Sequence, residues 1–245
     1  MNDEHVSRET PPAPEVARGV FSAALPLADQ YAELLAEQGV LRGLIGPREV
    51  PRLWERHLIN CALLGRAISL GVDVCDIGSG AGLPGVVLAI CRPDLSLTLV
   101  EPLLRRSTFL SEAVTELGLR NVEVVRARAE ELHGRREFAV VTSRAVAPLG
   151  RLLDWSMPLV RESGCLVAMK GASAAAEVKA AAKSIEEHGA GEVSVETHGS
   201  DLIDPPTTVV RVVAGRPSRL GLAIGGGASV NRPVKKHTNP RGKKR

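Results

Sequence analysis

Apolar residues recur along this chain with two different periods. Leu27, Tyr31, Leu34 and Leu35 share one helical face ahead of Gly39, and Leu53, Trp54, Leu58, Cys61 and Leu64 share another after Pro51. From Gly71 onward the pattern changes to short apolar runs alternating with amphipathic stretches. Strands are expected over 72–77, 95–100, 122–125, 138–142 and 165–169, with two late ones near 192–197 and 207–213. Helices are expected over 85–91, 104–117, 148–161 and 173–188, and Gly118 stops the second of them. Repeated βα units with short connections imply an α/β fold: a doubly wound, mostly parallel, seven-stranded sheet behind a small N-terminal helical cap. The pattern divides the chain into a disordered N-terminus (1–20), a helical cap (21–70), the α/β domain (71–214) and a flexible basic tail (215–245).

Composition adds three constraints. Aromatics make up 2% of 245 residues against 44% hydrophobic overall, so the core must be aliphatic. No apolar run reaches the roughly 18–20 residues that span a bilayer, and the opening MNDEHVSRETPPAPE has no apolar secretory core. A cytoplasmic protein with no membrane partner is expected. The four cysteines sit singly in apolar stretches without CxxC spacing, which reads as reduced, buried thiols, and the six histidines show no ligand spacing, so no metal is expected. The net charge of +3 conceals an asymmetry. Ten Lys and Arg follow Asp204 with no acidic residue among them, which leaves the preceding part at −7. That split suits a nucleic-acid partner; a solubilising tail explains it as well on charge alone.

The candidate chemistry lies in VDVCDIGSGAGLPG, a Gly-rich turn that follows a strand and opens a helix. Doubly wound sheets bind ligands at that end of the strand. Two cofactors compete. A dinucleotide brings a pyrophosphate to the helix N-terminus, whereas S-adenosylmethionine (AdoMet) brings a sulfonium cation and an amino-acid tail. Asp76, ending the first strand, repels a phosphate and suits a cation. The turn also runs GxGxG from Gly78 through Gly80, with Leu83 where the dinucleotide pattern has its third glycine. This favours a Rossmann-like AdoMet domain. Glu101, 23 residues after Gly78, suits ribose hydroxyls with either cofactor. Ala129 and Glu130, in RARAEE after the third strand, stand where adenine would lie; the competing account is that Glu130 and Glu131 only favour a helix's first turn.

The acceptor is approached by exclusion. The fourth strand ends Thr142-Ser143-Arg144-Ala145, without the Asn/Asp-Pro-Pro-aromatic motif of amino-methylating enzymes. Asp204-Pro205-Pro206-Thr207 imitates it after the sixth strand but lacks the aromatic, and no cysteine occupies a loop suited to attack a pyrimidine. An acceptor with a free lone pair remains. Guanine N7 fits, because it needs positioning and not deprotonation.

The segments RGLIGPREVPRLWERHLINC, VDVCDIGSGAGLPG, EPLLRRSTFL, RARAEE, VTSRAVAPL and LVAMKG together resemble the bacterial 16S ribosomal RNA guanine-N7 methyltransferase family, also known as the glucose-inhibited division protein B family. The likeness runs from about Gly39 to Gly215. It implies a class I AdoMet-dependent methyltransferase, with small-subunit ribosomal RNA or a 30S subunit or precursor as partner. It also implies an AdoMet site at Gly78, Leu83, Ala129, Glu130 and Arg144, to which the physical reading adds Asp76, Gly80 and Glu101. A dinucleotide oxidoreductase and a non-catalytic AdoMet- or RNA-binding module are the alternatives. Arg144 is the candidate catalytic residue, lining the pocket beside the methyl group and target base; the competing reading pairs it with a strand-end carboxylate. Arg105 and Arg106 oppose the dipole of their own helix, which phosphate contact would explain, as would solvation. Lys170 is either a phosphate contact or a strand-end lysine, and Trp54 either core or a stacking platform. Many family members carry a Trp-Asn…Tyr-Asn-Leu-Thr stretch before the Arg-His-Leu segment. GVLRGLIGPREVPRLW stands there instead, and the basic tail is absent from shorter members.

Overall fold

The computed structural model describes residues 10–215. Most of the expected basic tail, and the first nine residues of the expected disordered N-terminus, lie outside the described residues. Seven strands, β1 (Asp73–Ile77), β2 (Ser96–Val100), β3 (Val122–Val125), β4 (Phe138–Arg144), β5 (Val160–Lys170), β6 (Ala190–His198) and β7 (Thr207–Ala214), form one sheet in the order β3-β2-β1-β4-β5-β7-β6. The first five run parallel, and β7 lies antiparallel between β5 and β6. The expected α/β class holds. In register, Asp76 stands beside Leu99 of β2 and Thr142 of β4, so the carboxyl ends of β1, β2 and β4 meet at one edge. The order reverses between β1 and β4, and a doubly wound sheet opens its ligand crevice there.

Strand alternation assigns the two faces. Val74 joins the core beneath α4 (Gly85–Cys91) and α5 (Leu104–Glu116), while Cys75 and Ile77 join the one beneath α6 (Leu149–Ser156) and the pair Ala174–Ala180 and Ala182–Glu187. The stretch expected as helix to 161 divides: α6 ends at Ser156, a short turn holds Pro158, and β5 begins at Val160, five residues before the expected strand. Its extra length pairs with β4 across a register shift between Phe138 and Val140.

The N-terminal helices, expected as a cap, share their core with the sheet. They are α1 (Glu15–Phe21), α2 (Leu25–Leu34), continued by a π turn to Gly39, and α3 (Ile59–Leu64), led in by a tight 3-10 stretch over Pro47–Arg52 and a wider π turn over Leu53–Leu58. They lie on the same face as α4 and α5, and a single core runs from Ala17 to Val209. α1 also overturns the disorder expected up to residue 20. Pro14 precedes its first turn, a place where a missing N–H leaves no hydrogen bond unmade. Ala17 and Phe21 are buried. Trp54 is core: it meets Phe21 edge-on at 5.8 Å and its Nε1 donates to the Pro11 carbonyl at 3.0 Å. The proline-rich opening is thus tied down by an indole 43 residues away.

Candidate active site

The turn after β1 is built from within. Gly78, Gly80 and Gly82 all have positive φ, and the amides of Gly78 and Ser79 donate to the Val100 carbonyl at 2.8 and 3.2 Å. Tyr31, the chain's one tyrosine, lies fully buried below the turn and donates its hydroxyl to the Ala81 carbonyl at 2.5 Å. Burial pushes that phenol's pKa well above its ordinary value. A Cβ on Gly82 would fall 2.5 Å from Val86 and 2.6 Å from the Tyr31 hydroxyl, so only glycine fits. A Cβ on Gly80 would meet nothing nearer than the Gly78 carbonyl, at 3.8 Å. That glycine borders open space.

Asp76 was expected to face a bound cation; it lies wholly buried beneath the turn and does not line the cleft. Its Oδ2 accepts from the Gly85 amide at 3.0 Å, while Oδ1 has no partner. Burial lifts the carboxyl to about 7, even though the Gly85 amide and Arg144 pull the other way. Glu101 borders the cleft instead, although it too is almost wholly buried. Its side chain is at the cleft floor, with Oε2 accepting from the Gly80 amide and Oε1 from the Leu103 amide, both at 3.0 Å. Each oxygen keeps a second lone pair for a ligand hydroxyl.

Three concavities meet along the strand ends. The central cleft, about 650 Å³, is lined by Gly78, Gly80, Leu83, Glu101, Arg106 and Arg144, with Glu49 and His57 on its far wall. A side compartment of about 200 Å³ is bordered by Ala129, Glu130 and Trp155. A groove of about 560 Å³ lies between the 144–148 loop and Met169, Lys170, Gly171 and Glu177. Val146 borders all three. The two acids of RARAEE divide their roles: Glu131 caps its own turn through the Arg128 amide at 2.8 Å, and Glu130 lines the compartment.

Arg144 ends β4 at the cleft wall. It meets no strand-end carboxylate. Its guanidinium donates to His57 Nδ1 and, at 3.4 Å, to Cys61 Sγ. His57 Nε2 lies 3.0 Å from Glu49 Oε2, and Glu49 is paired in turn with Arg56 at 2.9 Å. Burial, then the neighbouring Arg144 cation, lowers the pKa of His57 below the usual histidine range. Lys170 is not free for phosphate. Its side chain is 9% exposed, bonded to the Ala147 carbonyl at 2.8 Å and to Glu177 at 2.7 Å. Arg106 reaches the cleft 4.0 Å from Glu101, and Arg105 is exposed one residue earlier and does not line it. His57 and Glu49 carried no role in the sequence reading. Both stand inside the RGLIGPREVPRLWERHLINC segment, but nothing local pairs a histidine with an arginine 87 residues away.

Among the described residues no helix is long and apolar enough to cross a membrane, and no cluster of three or more potential metal ligands occurs. The four cysteines are free thiols; Cys61 and Cys75 are buried, whereas Cys91 and Cys165 are half-buried. The model of the family described as rRNA small subunit methyltransferase G matches residues 24–203. A protein of Nocardioides sp. named "Ribosomal RNA small subunit methyltransferase G" is 61% identical over 225 residues, covering 91% of this chain and 90% of its own. Among solved structures, a predicted O-methyltransferase from Agrobacterium tumefaciens superposes with a TM-score of 0.52 at 17% identity, covering 64% of this chain and 81% of that one. A protein of M. jannaschii in complex with AdoMet gives 0.51 at 15% identity, covering 66% and 76%. These two share the fold alone. With the family match spanning most of the α/β body and the helices before it, the chain belongs to the rRNA small subunit methyltransferase G family.

Proposed function

We propose that this chain transfers a methyl group from AdoMet to N7 of a guanine in small-subunit ribosomal RNA. The observation that carries the cofactor is Glu101. Its carboxylate already holds the Gly80 amide, the one a pyrophosphate would need, so the turn presents negative charge to the cleft. That repels a dinucleotide and suits a sulfonium and ribose hydroxyls. Gly78, Gly80 and Leu83 would bound the ligand's amino-acid end, Glu101 its ribose, and Ala129 and Glu130 its adenine. When bound, AdoMet supplies an electrophilic methyl group.

The acceptor follows from what the titratable groups are doing. Glu49 and His57 are paired with each other, Glu101 with two backbone amides, and Glu177 with Lys170. Arginine stays protonated at every relevant pH. None of these groups is free to remove a proton, and N7 of guanine needs none removed. The protein's contribution is then to position the base and exclude water, with the Arg144 guanidinium against it, which is catalysis by proximity and orientation. The substrate is small-subunit RNA, naked or within a 30S subunit or precursor, and the place of work is the cytoplasm where that subunit assembles. Arg106 in the cleft and the exposed Arg105 beside it would meet backbone phosphates.

The test is direct. The protein is incubated with labelled AdoMet and either unmethylated small-subunit RNA or subunits, and the methyl is mapped by mass spectrometry. A single guanine carrying the label at N7 is the expected result. Label on another atom removes the acceptor assignment. A melting point raised by NAD and not by AdoMet removes the cofactor.

A further inference from the structure

We propose that His57 is a positioning residue: it accepts a hydrogen bond from Arg144 at Nδ1 and donates one to Glu49 from Nε2, so that the N-terminal segment fixes the aim of the cleft arginine. The inference builds on the methyltransferase reading for its kinetic arm and stands on geometry for the rest.

The tautomer follows from the partners. A guanidinium has donors only, so the ring nitrogen facing Arg144 must offer a lone pair. The ring's single proton then sits on Nε2, which faces the Glu49 carboxylate at 3.0 Å. Both bonds are made by one neutral imidazole. A second proton would set an N–H against the guanidinium N–H and add a cation beside a cation. The charged and titratable groups around this point agree with that assignment. Arg144 from β4 and Arg56 from the same segment disfavour a charged ring, and Glu49 favours it; Cys61 of α3 takes the other arm of the guanidinium. Tyr31 and Asp76 lie further in, coupled to Arg144 and not to His57. The Arg144 side chain is thus fixed at two nitrogens, one on Cys61 and one on His57, and both partners come from the helices that precede the α/β body.

Two full-length variants separate hydrogen-bond polarity from bulk. His57→Ala removes both bonds. His57→Gln restores an oxygen that can accept from Arg144 and an amide that can donate to Glu49. With unmethylated small-subunit RNA and saturating AdoMet, His57→Ala is expected to slow single-turnover methyl transfer by about tenfold or more, the scale of one charge-assisted hydrogen bond. AdoMet affinity by calorimetry should change little. His57→Gln should recover most of the rate. A folded His57→Ala variant with the wild-type rate, or a His57→Gln variant as slow as His57→Ala, overturns the proposal. Nitrogen-15 NMR of the imidazole provides an arm that needs no turnover. Nδ1 should report as unprotonated and Nε2 as protonated, and the ring should titrate at higher pH in Arg144→Ala than in the wild type. A proton on Nδ1 at neutral pH, or an unmoved titration, overturns it equally. If the wild-type protein methylates no RNA, the functional reading falls and the NMR arm alone decides His57.

Discussion

The loops that end β1 and β4 border the same cleft and are held in different ways. The β1 turn is secured chiefly by its own neighbourhood, Val100, Gly85 and Glu101 from adjoining strands and helix, with one support from α2, the Tyr31 hydroxyl below. The β4 loop is secured from elsewhere. His57 and Cys61 fix Arg144 from the N-terminal helices, and Lys170 with Glu177 pins Ala147 and Leu149 from the far end of β5. Ala145 also adopts a positive φ of 55° without being glycine, a strained conformation that its surroundings must maintain. The contrast separates a site's rigidity from its aim. Damage to the first loop should appear as lost stability or lost cofactor, and damage to the second as lost rate.

Four substitutions or conditions sharpen that contrast. Gly82→Ala should cost the most, about 3–5 kcal/mol of unfolding free energy, because overpacking against Val86 and Tyr31 adds to a positive φ of 92°. Urea unfolding checks it, and a loss under about 1 kcal/mol would mean the turn is softer than its contacts imply. Gly80→Val should lose about 1–2 kcal/mol to its positive φ of 59° but stay folded, since the side chain enters open space, while weakening AdoMet by about 100-fold in calorimetry. A folded variant that binds normally removes Gly80 from the site. Asp76 sets a pH dependence. Its carboxyl titrates at about 7 when folded against 3.8 ordinarily, so the folded state holds a proton the unfolded chain has released. Stability of the ligand-free protein should therefore fall as pH rises across that interval, by about 2 kcal/mol between roughly pH 5 and 7. Asp76→Asn should flatten the slope in thermal melts; an unchanged slope assigns it to another group. Lys170→Met should cost about 1 kcal/mol by releasing Glu177 from its ion pair. Its signature is a slower single-turnover rate at unchanged AdoMet affinity, and the reverse pattern would place Lys170 on the cofactor's side of the cleft.

The same division decides what could be read from the chain. The strand order along the sequence, the Gly-rich turn and the carboxylate at Glu101 are local patterns, because period and turn chemistry act within a dozen residues. Asp76 was visible as a residue but its depth was not: the sequence cannot say that this carboxylate lies wholly buried beneath the turn while Glu101 borders the cleft. α1 stayed hidden because Pro11, Pro12 and Pro14 dominate its approach, and its stability comes from Trp54, far along the chain. The early start of β5 was masked by Pro158 and by Gly164, which interrupt the apolar run. His57 was unreadable for a plainer reason: its partner is 87 residues distant, and no spacing rule connects them.

The continuity of the first core has a consequence for synthesis. Thr207 donates to Asn60 at 2.9 Å, Arg211 reaches the Ala67 carbonyl at 2.7 Å, and a Cβ on Gly199 would fall 2.5 Å from Leu63. The third helix and the turn after it, made early, therefore complete their packing only when the last two strands emerge. A nascent chain stopped after β5 leaves the part of α3 that meets β7 open to solvent and to its neighbours. Such long-range closure makes for slow, late folding. For a protein of this build, pausing during translation carries a hazard of aggregation that no pairwise contact in the finished molecule reveals.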